Sequence, residues 1–214
     1  MTDTRRALLD DLSDELAAQH RGPRIMVAVD GVDGAGKTTF ADAWAEVLRE
    51  RGVAVVRASI DDFQRPRAER YARGRDSADG YYRDAFDTDA LRTDLVVPFR
   101  SGAAQVTTAA FDYRADEPAH TVVGVPDNAV LLVDGVFVHR PELVRLWHRS
   151  IWLEVPGDVA AERLRARDGD ASLSARYRDG QALYRREAAP HRAATIVIDN
   201  ADPAHPVRSF ADFC

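Results

Sequence analysis

The chain has 214 residues, of which 45% are hydrophobic and 30% charged, with a net charge of −6. This length fits one domain, 1–214, with small inserts, and the acidic balance excludes a basic footprint for nucleic acid. No uncharged apolar run reaches membrane-spanning length, the first residues lack the apolar centre of a signal peptide, and the one cysteine, Cys214, excludes an internal disulfide, so a cytoplasmic chain is expected.

Residues 1–22 hold an amphipathic helix, Thr4 to Gln19, with Leu8, Leu9, Leu12 and Leu16 on one stripe. Ile25-Met26-Val27-Ala28-Val29 is a short apolar run of the kind buried in parallel sheets. It leads into Gly31-Val32-Asp33-Gly34-Ala35-Gly36-Lys37-Thr38, which reads G-x-x-x-x-G-K-T, the phosphate-binding loop. Glycines let backbone N–H groups curl around phosphates, and the next helix adds the positive end of its dipole. Lys37 is the only lysine among 29 lysine and arginine residues. The space beside the loop suits a compact ammonium on a flexible stem, not a planar fork. Gly31, Asp33, Gly34, Ala35, Gly36, Lys37, Thr38 and Thr39 are the expected nucleotide-binding set, with the Thr38 hydroxyl placed to hold Mg²⁺.

Helix 38–51 follows, with Phe40, Ala43, Trp44, Val47 and Leu48 at helical spacing and Gly52 after it. Val53 to Ile60 is a second strand, ending at Asp61-Asp62. A carboxylate there is placed to take a proton from a hydroxyl attacking the γ-phosphate; the alternative is a strand-end turn or helix N-cap. Residues 65–85 are aperiodic and rich in Arg, Asp, Gly and Tyr, and read as a mobile or ligand-facing segment. A helix is expected over Thr88–Phe99, then a hairpin insert, 105–125, pairing Gln105–Phe111 with His120–Val125. Ala129 to Val133 is a core strand stopping at Asp134-Gly135. Four apolar residues and an aspartate form the Walker-B pattern, whose carboxylate joins Thr38 on the metal side; a turn aspartate is the alternative.

Ser150–Val155 and Ala194–Ile198 are further strands, with helices 157–167 and 174–188 between them. Strands alternating with helices imply right-handed crossovers and a parallel sheet covered on both faces. Arg163 and Arg167 lie four apart on one helix face, and arginine forks suit phosphate oxygens; a solvated helix face is the alternative. Arg176 and Arg178 are secondary candidates, while His139 and His191 read as surface or loop histidines. Since Lys37 is the only lysine, the guanine-reading Asn-Lys-x-Asp motif is absent.

Together, residues 24–200 resemble the uridine kinase-like branch of P-loop kinases, which includes phosphoribulokinase and bacterial pantothenate kinase. Ser59-Ile60-Asp61-Asp62-Phe63 is similar to the family's Ser-x-Asp-x-Phe element, and Phe86-Asp87-Thr88-Asp89-Ala90 to its Phe-Asp-x-Pro-Asp-Ala element. Arg163–Asp168 is similar to the arginine-bearing lid helix, in a lid region 163–180, and Tyr184 with Ala194–Ile198 to the late helix and final strand. Asp134-Gly135 is similar to the family's acid–glycine pair, with Asp where uridine kinases usually have Glu.

The resemblance implies an α/β fold: a P-loop NTPase three-layer sandwich with a five-stranded parallel sheet, helices on both faces, and hairpin and lid insertions. It implies ATP and Mg²⁺ as cofactors and Lys37, Asp61, Arg163 and Arg167 as the catalytic set, with Asp61 the general base and Asp62 its structural neighbour. On the acceptor side it implies Asp61, Asp87, Phe111 and Arg114, with Asp87 bonding a diol-like hydroxyl group. Two departures stand out. Gln64 replaces the tyrosine that usually follows Asp-x-Phe, and Phe111-Asp112-Tyr113-Arg114, with His120 further on, replaces a Tyr-Asp-Phe segment and nearby His. The phosphotransfer elements thus match more fully than those for base recognition. The loop wording is also similar to that of thymidylate kinases, without their Asp-Arg motif after the second strand. The implied activity is transfer of the ATP γ-phosphate to a hydroxyl of a small molecule, first a nucleoside such as uridine or cytidine. The alternatives are pantothenate, a sugar or a nucleotide as acceptor, or a regulatory ATPase switch acting on a protein partner. No nucleic-acid or membrane partner is expected, and a homo-oligomer is left open.

Overall fold

The structure is a computed structural model and describes residues 1–19, 22–170 and 174–209. Cys214, and residues 171–173 of the 163–180 region, lie outside the described residues. Among the described residues there are eight strands: β1 (Arg24–Gly31), β2 (Ala54–Ser59), β3 (Gln105–Asp112), β4 (Glu117–Gly124), β5 (Ala129–Asp134), β6 (Arg149–Glu154), β7 (Ile196–Asp199) and β8 (Val207–Ser209). Six form one sheet in the order β2-β5-β1-β6-β7-β8. The first five are parallel, as the sequence leads one to expect, and β8 adds an antiparallel edge. Three mostly exposed residues, Val-Arg-Ser, carry no apolar pattern that would announce β8.

Successive side chains of a strand go to opposite faces, and the core divides accordingly. Met26, Ala28, Leu131, Val133 and Trp152 face one cluster, while Val27, Val29, Val130, Leu132 and Ile151 face the other. With both faces covered, β5 is buried along its whole length, which explains its unbroken apolar run.

The second face is covered by α1 (Asp3–Gln19) and α2 (Lys37–Glu50). Leu9, Leu12 and Leu16 bury as the leucine stripe predicts, and the indole N–H of Trp44 donates to Ser13 Oγ at 3.0 Å. Burial of one such aromatic side chain contributes about 2–3 kcal/mol.

The 65–85 segment departs from its aperiodic appearance. It contains α3 (Arg67–Arg70) and α4 (Ala78–Asp84). The expected helix over 88–99 is interrupted: α5 (Thr88–Ala90) passes through a π-helical stretch, Leu91–Val96, into α6 (Val97–Arg100). Pro98 has no N–H and its ring crowds the carbonyl four residues back, so a regular turn cannot form there. Beyond β6 come α7 (Gly157–Asp168), α8 (Ala175–Ala188) and α9 (Pro190–Ala193). Among the described residues, strands β3 and β4 pair with each other as an antiparallel hairpin.

Candidate functional site

Parallel strands end together, so their C-terminal ends gather the loops that can meet a ligand. Here β5 lies between β2 and β1, with Asp134 level with Val29 on one side and Ser59 on the other. The phosphate loop leaves β1 and the Asp61-Asp62 turn leaves β2, so Asp134 stands between them.

The loop is held from behind. Gly34 and Gly36 have φ of 81° and 86°, in the region that favours glycine. A Cβ on Gly34 would meet the Ala160 carbonyl oxygen at 2.4 Å, so α7 packs directly on the loop backbone. Asn200 Nδ2 donates to the Ala35 carbonyl at 2.7 Å. Lys37 is 11% exposed; its Nζ donates to the Val32 carbonyl at 2.9 Å and lies 4.0 Å from Asp33 Oδ1. Thr39 donates no side-chain bond within the loop; its carbonyl takes Arg5 Nη2 at 2.8 Å.

The Thr38 hydroxyl donates to Asp134 Oδ2 at 2.6 Å, and Asp134 is only 1% exposed. These are hard oxygen donors. Among the described residues no three His, Cys, Asp or Glu side chains converge on one point. The hydroxyl of Thr38 and the carboxylate of Asp134 are oxygen donors of the kind that fit Mg²⁺, which takes few protein oxygens and leaves other positions to water and phosphate. Gly135 has φ 153°, and a Cβ there would stand 2.1 Å from Ile60 Cγ2. The acid–glycine pair thus lets the turn carrying Asp61 approach the end of β5.

Asp61 sits in a 3₁₀ turn, Ile60–Phe63, capped by Ser59 Oγ, which accepts from the Asp61 N–H. The residue is exposed to water on one side, while protein crowds its carboxyl on the others. Desolvation is the main cause that raises it to about 6; Lys37 opposes the rise, and Asp33, Asp134 and Asp62 add to it. Asp62 is also raised, first by burial, then by Asp134 and Asp112, against the pull of Arg57. Both neighbours feel Asp134, but Asp61 also feels the loop lysine and Asp62 the hairpin acid Asp112.

Asp87 caps α5, its Oδ1 accepting the Ala90 N–H at 2.9 Å, and its own N–H donates to Phe63 O at 2.7 Å. It is thereby tied to the turn of Asp61. Phe111 is buried at the end of β3, while Arg114 lies on the exposed hairpin turn with its guanidinium over the Tyr113 ring, 5.6 Å from the centroid.

The arginines of α7 divide. Arg163 donates to the carbonyls of Gly34 at 3.4 Å, Asn200 at 3.1 Å and Ala201 at 2.7 Å. It braces the back of the loop, and this leaves the expectation that it meets transferring charge without geometric support. Arg167 is 68% exposed and bonds Asp168 at 2.6 and 2.8 Å. That bond first, and Asp33 and Asp61 at longer range, hold its guanidinium further toward the charged form. Arg176 is buried and donates to the carbonyls of Arg70, Gly74, Arg75 and Ser77, so it organises the 70–77 segment. Arg178 pairs on the surface with Asp179.

Three groupings escaped sequence reasoning. Asp33 Oδ2 accepts from the Tyr81 hydroxyl at 2.8 Å and Gln181 Nε2 at 2.7 Å, while its N–H donates to Gln181 Oε1 at 3.2 Å. Burial, then Asp33, pushes the Tyr81 phenol well up, so it remains a donor. Asp30, fully buried, accepts from Gly31 N–H at 2.7 Å, from the Tyr184 hydroxyl, and from the His139 N–H at 3.1 Å, with His139 Nδ1 at 2.8 Å. His139 is thus a buried residue beneath the loop, not a surface one. Third, Arg57 bonds Asp134 and Asp42.

No protein-family model and no curated protein matches the chain. Solved structures do. A possible uridine kinase from Bacillus stearothermophilus is 25% identical with a TM-score of 0.74, covering 90% of this chain and 97% of that one. A candidate fructose transport system kinase from Silicibacter sp. TM1040 is 24% identical with a TM-score of 0.66, covering 89% and 95%, and bears on the fold alone.

Proposed function

We propose that this chain, similar in structure to a possible uridine kinase, is a P-loop kinase that transfers the ATP γ-phosphate to a hydroxyl of a small uncharged acceptor, a nucleoside of the uridine or cytidine kind. The observation that carries this reading is Asp61: an accessible carboxyl, raised to about 6 and under the influence of Lys37, beside the phosphate loop. A base poised near neutrality suits proton removal from a hydroxyl. A hydrolytic switch needs only a placed water, whereas the carboxylates of Asp61, Asp62 and Asp87, held near one another by the bond from Asp87 N–H to Phe63 O, suit a polyol.

The loop N–H groups bind the phosphates, and Lys37 exchanges the Val32 carbonyl for phosphate oxygens. Thr38, oriented by Asp134, would hold Mg²⁺, which supplies charge neutralisation on the phosphates when bound. Asp61 accepts the acceptor's proton as its oxygen attacks, and Asp87 takes a hydroxyl on the oxygen that the helix cap leaves over. Arg167 faces the same acids from α7 and is the available cation for the transferring group. The acidic acceptor side disfavours phosphorylated or carboxylate acceptors through like-charge repulsion; this favours a nucleoside over pantothenate or a nucleotide.

Mixing the protein with ATP, Mg²⁺ and a panel of nucleosides, sugars and pantothenate tests the proposal. Stimulated ADP release by uridine or cytidine supports it; no stimulation by any acceptor overturns it.

A further inference from the structure

We propose that Arg57 is a positioning residue for the metal side of the phosphate site, acting through Asp134; this rests on reading Thr38 and Asp134 as that side. Arg57 lies half-buried in Val55-Val56-Arg57-Ala58 of β2, the edge strand beside β5, and is the one charge in that strand. Its Nη2 meets Asp134 Oδ1 at 2.7 Å and Asp42 Oδ1 at 2.9 Å, and its Nε meets the same Asp42 oxygen at 3.0 Å. Nη1 donates to the carbonyls of Leu132 at 2.7 Å and Ala58 at 3.2 Å. One planar group therefore ties β2, which leads to Asp61, to β5, which ends in Asp134, and to α2, which begins with the lysine and threonine of the loop.

The consequence for chemistry is directional. Arg57 engages Oδ1 of Asp134, and Oδ2 receives the Thr38 proton at 2.6 Å. With its proton fixed on Asp134, the Thr38 oxygen keeps its lone pairs for the loop side, where it would hold Mg²⁺. A carboxylate 1% exposed without a counter-charge would be costly, and a rotating carboxyl would release the hydroxyl. Only a guanidinium serves two carboxylates and two carbonyls from one fixed plane. Partners that orient metal-site ligands typically change metal affinity 10–100-fold when removed.

The test compares ATP binding by calorimetry in EDTA and in saturating MgCl₂, taking the ratio of dissociation constants as the Mg²⁺ coupling, with thermal melts in EDTA as a folding control. Arg57→Met is expected to reduce that ratio about ten-fold or more while leaving ATP binding in EDTA near wild type. Arg57→Lys is expected to recover only part of it. Asp42 is exposed, so Asp42→Asn keeps the fold and is expected to shift the ratio less and in the same direction. It carries the test if Arg57→Met does not fold. A lowered melting temperature with an unchanged ratio makes Arg57 merely structural, and an increased ratio makes it a competitor for Asp134 charge; either overturns the proposal. Wild-type binding indifferent to Mg²⁺ overturns the functional reading along with it.

Discussion

Replacing Asp61 with asparagine separates chemistry from stability, because the same environment governs both. The carboxyl titrates at about 6 against an ordinary 3.8, with burial the main cause and Asp33, Asp134 and Asp62 adding to it. The folded chain therefore binds this proton more tightly than the unfolded chain, so stability falls as pH rises from about 4 to about 6 and stays lower above. The full difference, 6 − 3.8 ≈ 2.2, would correspond to about 3 kcal/mol. The carboxyl is open to water, which screens the charge and brings the effect nearer 1 kcal/mol. Asp61→Asn is neutral at every pH, so at pH 8 it is expected to melt about 2–4 °C above wild type. At pH 4 the two should coincide. Loss of the base should lower kcat about 10²–10⁴-fold with ATP still bound. Wild-type kcat/KM should fall below an apparent pKa near 6, and the variant's residual activity should lack that limb. Scanning fluorimetry from pH 4 to 8 and steady-state kinetics over the same range read all of this. A melting temperature at pH 8 equal to or below wild type refutes the electrostatic account. A near-normal kcat moves the base to Asp62.

Lys37→Ala is expected to lower kcat at least 10²–10³-fold in the coupled ADP assay, since a charge aimed at the phosphates is lost. Gly135→Ala places a methyl 2.1 Å from Ile60 Cγ2; unfolding in urea should show about 2 kcal/mol lost, together with activity. Gln181→Ala removes both of its bonds to Asp33, and the KM for ATP should rise about 10-fold with kcat little changed. Asn caps helices as well as Asp, so Asp87→Asn should keep its melting temperature while the KM for the acceptor, not for ATP, rises about 10-fold or more.

What the sequence reveals about this site divides by the range over which the residues act. The phosphate loop, the strands and the Asp61 turn are local patterns: glycine spacing, apolar runs, acids at strand ends. Each is readable because neighbouring residues impose it. The support is not local. Asp33 with Gln181 spans 148 positions and Asp30 with His139 spans 109, so only the folded sheet brings them together. Even so, each left a mark. Asp30 ends the apolar run of β1, and Arg57 interrupts that of β2; a charge in a covered strand must find a partner. Tracing such partners would have led to His139 and Asp134. Arg163 shows the limit of reading a charge by its place in the sequence. An arginine near a phosphate loop invites a catalytic reading, but helix periodicity cannot say whether its fork meets ligand or carbonyl. Here Ala160 lies against Gly34, which brings the next turn of α7, and Arg163 with it, behind the loop. Arg167, one turn further along, is the residue that reaches the electrostatic field of Asp33 and Asp61. Which arginine braces the loop is therefore set by how the backbone of α7 at Ala160 packs on Gly34, a feature of packing that no charge pattern records.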